Sequence, residues 1–123
     1  MKEMLKSLSL RLPDLQPALG TEEASKHSLV LPFIAALGYN TYDPYEVVPE
    51  FTADVGGRRG EKVDYAIQKN REPMILIECK SVNTKLDVKH AQQLFRYFTS
   101  TKARFAILTN GIHYKFFTDI EDA

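Results

Sequence analysis

Met74-Ile75-Leu76-Ile77-Glu78-Cys79-Lys80 is an apolar run that ends in an acid and, two positions later, a lysine. A run this short and apolar reads as a buried strand, the most apolar of the chain and hence central. Side chains alternate across a strand, so Glu78 and Lys80 share one face and Cys79 lies on the other with Ile75 and Ile77. Working outward, Lys62-Val63-Asp64-Tyr65-Ala66-Ile67 reads as the preceding strand, and Asn70-Arg71-Glu72-Pro73 as the turn between the two. That turn brings Asp64 beside Glu78 across the sheet. Two carboxylates so close repel each other and favour a cation between them. The oxygen donors suit Mg2+, or Mn2+ in its place, with the Cys79 carbonyl as a further ligand. Such an ion polarises a phosphoryl oxygen and lowers the pKa of a bound water. Lys80 then positions or deprotonates that water, or offsets charge in the transition state. Phosphodiester hydrolysis needs these parts and no organic cofactor. The plain alternative is a solvent-facing Glu78–Lys80 salt bridge. Asp64 on a paired strand weighs against it.

The rest of the chain sets the frame. Its 123 residues suit one domain, and 44% apolar with 26% charged residues argues against disorder. Lys plus Arg and Asp plus Glu each number 16, so the formal charge is zero. That balance counts against tight autonomous DNA binding but not against a nuclease whose DNA grip is supplied elsewhere. A single cysteine, Cys79, excludes an intrachain disulfide framework and argues against a thiolate zinc site. No apolar run approaches the roughly 18 residues of a membrane span, and the start of the chain lacks a signal-peptide block. A reducing, cytoplasmic setting fits best.

Met1 to Leu12 reads as a short helix, and Pro13 and Pro17 punctuate an irregular arm. Thr21 is a candidate N-cap for a helix over 22–37, with Leu29, Val30, Phe33, Ile34 and Leu37 at helical spacing and Gly38 as its stop. Pro32 predicts a kink inside it. Glu46 to Phe51 reads as an edge strand because of Pro49, and Gly56-Gly57-Arg58-Arg59-Gly60 as a loop whose arginines are candidates for phosphate contact. Residues 86–100 form a second amphipathic helix with the stripe Val88, Ala91, Leu94, Phe95 and Phe98. Phe105 to Leu108 and Ile112 to Phe117 are then strands joined at Asn110-Gly111. The order predicts an α/β fold, α-β-β-β-α-β-β, with a mixed central sheet flanked by helices. The closing Asp119-Ile120-Glu121-Asp122-Ala123 resembles a cut through a longer chain.

The sequence resembles the PD-(D/E)xK nuclease superfamily and, more closely, the N-terminal nuclease domain of type I restriction enzyme R subunits. The matching pieces run from Thr21 to Phe117: Glu22-Glu23-Ala24-Ser25-Lys26, Leu37-Gly38-Tyr39, Val48-Pro49-Glu50-Phe51, Glu61-Lys62-Val63-Asp64-Tyr65, Ile77-Glu78-Cys79-Lys80 and Gln93-Leu94-Phe95-Arg96-Tyr97. Each piece is unspecific alone; their order and spacing are fairly specific. Val63 stands where the superfamily's nominal proline would be. The resemblance implies a restriction-endonuclease-like core. It implies a magnesium-dependent DNA endonuclease in restriction or anti-phage defence, with Asp64 and Glu78 as metal ligands and Lys80 as the catalytic lysine. The family's first-helix acid matches Glu22 best, with Glu23 as fallback. Gln93 and Tyr97, four apart on one helix face roughly opposite Ala91, Leu94 and Phe98, are implied to reach the substrate. The implied partners are DNA and other subunits of a restriction complex, with a second copy on DNA for double-strand cleavage. Residues 1–20 are then an N-terminal helix or arm and 21–123 the nuclease-like domain. No phosphate loop of an ATP-driven motor occurs.

Two other readings stand beside this one. A nuclease-like fold serving as a DNA-binding or assembly module without cleavage is favoured by the charge balance. A domain unrelated to nucleic acid predicts that Asp64 and Glu78 lie apart in bulk solvent.

Overall fold

A computed structural model describes residues 2–52 and 62–118. Helix α1 (Lys2–Leu15) opens the chain and is followed by a 3-10 turn, Gln16–Ala18. The helix thus runs three residues past the expected Leu12 and carries Pro13 inside it. Leu8, Leu12 and Leu15 pack on a small cluster of Leu19, Leu29 and Val82, which ties the arm to the body.

The expected helix over 22–37 is three pieces. Thr21 caps α2 (Glu22–Ser25) by accepting a hydrogen bond from the Ala24 amide at 3.0 Å. A π-helical turn, Lys26–Val30, follows, and then α3 (Leu31–Ala36). Pro32 is the reason for the interruption. It has no N–H to give to the carbonyl four residues back, and its ring would clash there. The wider turn relieves this, with the Leu31 amide bonding the Lys26 carbonyl five residues back.

Five strands form one sheet in sequential order: β1 (Val47–Thr52), β2 (Lys62–Lys69), β3 (Glu72–Cys79), β4 (Phe105–Thr109) and β5 (Tyr114–Thr118). All neighbours are antiparallel except β3 and β4, which are parallel and joined through α4 (Val88–Thr99). The fold is therefore α/β with a mixed sheet. β3 is central and β1, with Pro49, lies at an edge, as the sequence predicts. The Gly56–Gly60 loop with Arg58 and Arg59, and the segment 119–123, lie outside the described residues.

Each face of the sheet has its own core. Leu76, Ala106 and Leu108 meet Leu94, Tyr97 and Phe98 of α4 on one side. Ile77, Cys79, Ile107 and Ile67 meet Val30 and Ile34 on the other. Asp87 starts α4 by accepting the His90 amide. The expected stripe on α4 is only partly the buried face, since Val88 is 72% and Phe95 41% exposed. At the β4–β5 turn the buried Asn110 accepts the amides of Ile112 and His113 and donates to the Thr84 carbonyl. Gly111 at φ +91° lies so close to Leu29 that a Cβ there would sit 2.7 Å from its Cδ1. No described helix is long and apolar enough to cross a membrane.

Candidate active site

At the carboxyl end of β3 the sheet stops being regular. The β2–β3 ladder runs from Lys69↔Glu72 to Tyr65↔Ile77 and there ends, one step short of pairing Asp64 with Glu78. On the other side, the β1–β2 register passes from Pro49↔Tyr65 to Phe51↔Val63, missing Glu50, which has φ +51°. Asp64 thus drops out of both ladders. The face alternation slips here too, because Val63 packs in the α4-side core although Tyr65 packs on the opposite side.

Side chains replace the lost backbone pairing. The Cys79 amide donates to Asp64 Oδ2 at 2.7 Å, and the Asp64 amide points to Glu78 Oε1 at 3.4 Å. The two carboxylates are therefore brought together, as expected, and the reading that places them apart in bulk solvent is overturned. Glu78 is buried, not presented at the surface. Burial, with the hydrogen bond and charge of Asp64, pushes its pKa far above the carboxylate range, and the charge of Lys80 only partly offsets this. Glu78 thus holds its proton more tightly than a free carboxyl does. Burial also acts to raise Asp64, but the hydrogen bonds from Glu78, the Cys79 amide and Lys26 outweigh it and hold that carboxyl below its ordinary value. One carboxylate and one carboxylic acid sharing a proton is the usual outcome for a close like-charge pair.

The amine in direct contact is Lys26, at the start of the π-helical turn. Its Nζ lies 3.0 Å from Asp64 Oδ1 and 2.7 Å from Glu23 Oε1, with its side chain only 11% exposed. The two acids raise its pKa against the opposing effect of burial, the largest single influence. The next residue back, Ser25, is fully buried and accepts the Val82 amide at 3.0 Å, fastening the helix to the loop after β3. Sequence reading missed both roles. The available signal was that Lys26 shares a helix face with Leu29 and Phe33, where a cation must be paired.

Lys80 lies just past β3, with its amide bonded to the Thr109 carbonyl at 2.8 Å. Among the described residues its ammonium forms no ion pair; it acts on Glu78 through its charge. Glu22 is exposed at the first position of α2, and the acid linked to the site is Glu23, through Lys26.

The placement of Gln93 and Tyr97 needs correction. Tyr97 is 2% exposed and belongs to the same cluster as Leu94 and Phe98, not to an opposite face. It lies about 60° round the helix from Leu94, near enough for a long ring to turn inward. Gln93, half-buried, donates from Nε2 to the Tyr97 hydroxyl at 3.0 Å.

Asp64 and Glu78 are hard oxygen donors of the kind that would hold a divalent ion, and the Lys26 ammonium lies on Asp64. Among the described residues no three His, Cys, Asp or Glu side chains converge. Further ligands would come from backbone carbonyl, such as that of Cys79, and water. The Cys79 thiol is unsuited, being buried in the opposite core, with burial and the two neighbouring acids pushing its pKa up.

A family model described as type I restriction enzyme R protein N terminus matches residues 21–122. No curated protein matches the chain, and no solved structure does.

Proposed function

The chain belongs to the family of type I restriction enzyme R protein N-termini, and from that premise we propose that it is a PD-(D/E)xK-type nuclease domain hydrolysing DNA phosphodiester bonds with Mg2+ or Mn2+. The observation that carries the reading is the Asp64–Glu78 pair, held together where the central ladder breaks, with the Asp64 amide on Glu78 Oε1 and the Cys79 amide on Asp64 Oδ2. Burying such a pair costs stability, which a purely structural domain avoids by placing an apolar residue there.

In this reading Asp64 and Glu78 would hold the ion, whose charge would favour the ionised form of Glu78, its proton going to solvent. The chemistry that an ion supplies there is polarisation of a phosphoryl oxygen and a lowered pKa for bound water. Lys80, free of other ion pairs among the described residues, orients the attacking water or offsets charge on the phosphoryl group. Gln93 contacts the substrate and Tyr97, buried behind it, holds it in place. Glu22 adds an acid at the rim of the same helix. The partners are DNA and other subunits of a restriction complex, which supply the grip that a chain of zero net charge lacks. A second copy on DNA serves double-strand cleavage. Residues 21–123 form the nuclease domain and 1–20 its arm.

The test is cleavage of plasmid DNA in Mg2+ or Mn2+ by the wild-type chain, Asp64→Asn and Lys80→Ala. Each substitution is expected to slow cleavage by about 10²–10³-fold, the range for removing one group that stabilises transition-state charge. Equal cutting by all three sinks the assignment of these residues. DNA binding without cutting by any of them favours an assembly module.

A further inference from the structure

Lys26 has no part in the reaction as proposed above, yet its ammonium touches Asp64 of the carboxylate pair. It reaches Asp64 from a residue 38 positions away in sequence. Three features show that its position is built. Ser25 anchors the turn to Val82 through a buried hydrogen bond. The π-helical turn that begins at Lys26 sets the pitch of the helix there. Glu23, on the same helix, holds the ammonium from its solvent side at 2.7 Å.

We infer that Lys26 is a built-in counter-ion of the Asp64–Glu78 site, bonded to Asp64 Oδ1 and competing with a divalent cation for that carboxylate. The inference rests on the metal-binding reading of the pair. Two opposing effects follow from the geometry. Lys26 aims Asp64 by its hydrogen bond to Oδ1, which favours cation binding. It also places a full positive charge 3.0 Å from the oxygen that a cation seeks. Repulsion between like charges in a poorly solvated site is the larger effect, because Asp64 is also oriented by the Cys79 amide without help from Lys26. Lys26 is therefore a positioning residue that weakens metal affinity by placing its charge on Asp64 Oδ1.

The test is calorimetric titration of the intact chain with Mn2+, comparing wild type, Lys26→Met, Lys26→Gln, Lys26→Arg and Asp64→Asn, each checked for folding by thermal melt. Lys26→Gln keeps a donor near Asp64 without charge, so it gives the same reading should Lys26→Met fail to fold. The neutral variants are expected to bind Mn2+ about tenfold more tightly, a difference easily resolved in Kd. Lys26→Arg should stay near wild type and Asp64→Asn should lose binding. A merely structural role for Lys26 would lower melting temperature in Lys26→Met without tightening binding. Wild-type binding that needs Asp64, with unchanged or weaker binding in the neutral variants, overturns this inference and leaves the nuclease reading standing. No binding by any of the proteins overturns both.

Discussion

The two helical covers of the sheet differ in kind. α4 is one regular amphipathic helix, capped by Asp87, with Leu94, Tyr97 and Phe98 filling the core beneath it. The opposite cover, from Glu22 to Ala36, is broken by a π-helical turn and buries a serine and a lysine beside apolar Val30 and Ile34. Regular geometry serves packing on the first side. On the second, irregular geometry delivers an ammonium and a hydroxyl to the end of the central strand. Buried polar groups cost stability unless paired, so the second cover holds its place through specific partners and the first through area.

That contrast can be broken from either side. The largest loss of stability should come from Leu94→Ala in α4, about 2–5 kcal/mol by chemical denaturation, as for a fully buried leucine. Metal affinity per folded molecule should be unchanged, since Leu94 packs in the apolar cluster with Leu76 and Phe98 and brings no polar group to the carboxylates. A drop in affinity equal to the drop in stability would show that the two covers are not separable. Ser25→Ala should cost less, about 1–3 kcal/mol, by orphaning the Val82 amide. It should also alter Mn2+ binding by loosening the turn that carries Lys26. Loss of stability with binding intact would make Ser25 a packing residue like those of α4.

The smallest effect per step is with pH. Glu78 has a folded pKa above its ordinary 4.5. Its stabilising contribution is therefore complete below pH 4.5 and is lost as pH rises toward the folded value. In chelator, wild type should lose stability from pH 5 to 8 by at most about 1.4 kcal/mol per pH unit. Glu78→Gln, which mimics the neutral acid, should flatten that slope. Asp64 works in the opposite sense, but only as pH falls below its ordinary 3.8, outside this window. A slope as steep in Glu78→Gln as in wild type would place the titrating group elsewhere.

Residues 74–80 and 62–67, with the turn between them, carried enough local information to determine the strands, their antiparallel pairing and the approach of Asp64 to Glu78. Period-two alternation and turn chemistry act between near neighbours, so they are readable from a single chain. α4 was legible for the same reason, and so was the edge position of β1 through Pro49. The family resemblance supplied Glu22, Gln93 and Tyr97, whose surroundings no local pattern shows. Tertiary structure decided that Tyr97 turns into the core, that Glu23 and not Glu22 connects to the site, and that Lys26 is the amine on Asp64 while Lys80 stands apart. The physical reason is distance along the chain. Which cation reaches a buried carboxylate depends on how a helix 38 residues away seats on the sheet. That seating is set by the Pro32 interruption, the Ser25 anchor and packing from both faces at once, and no window of neighbouring residues contains them all.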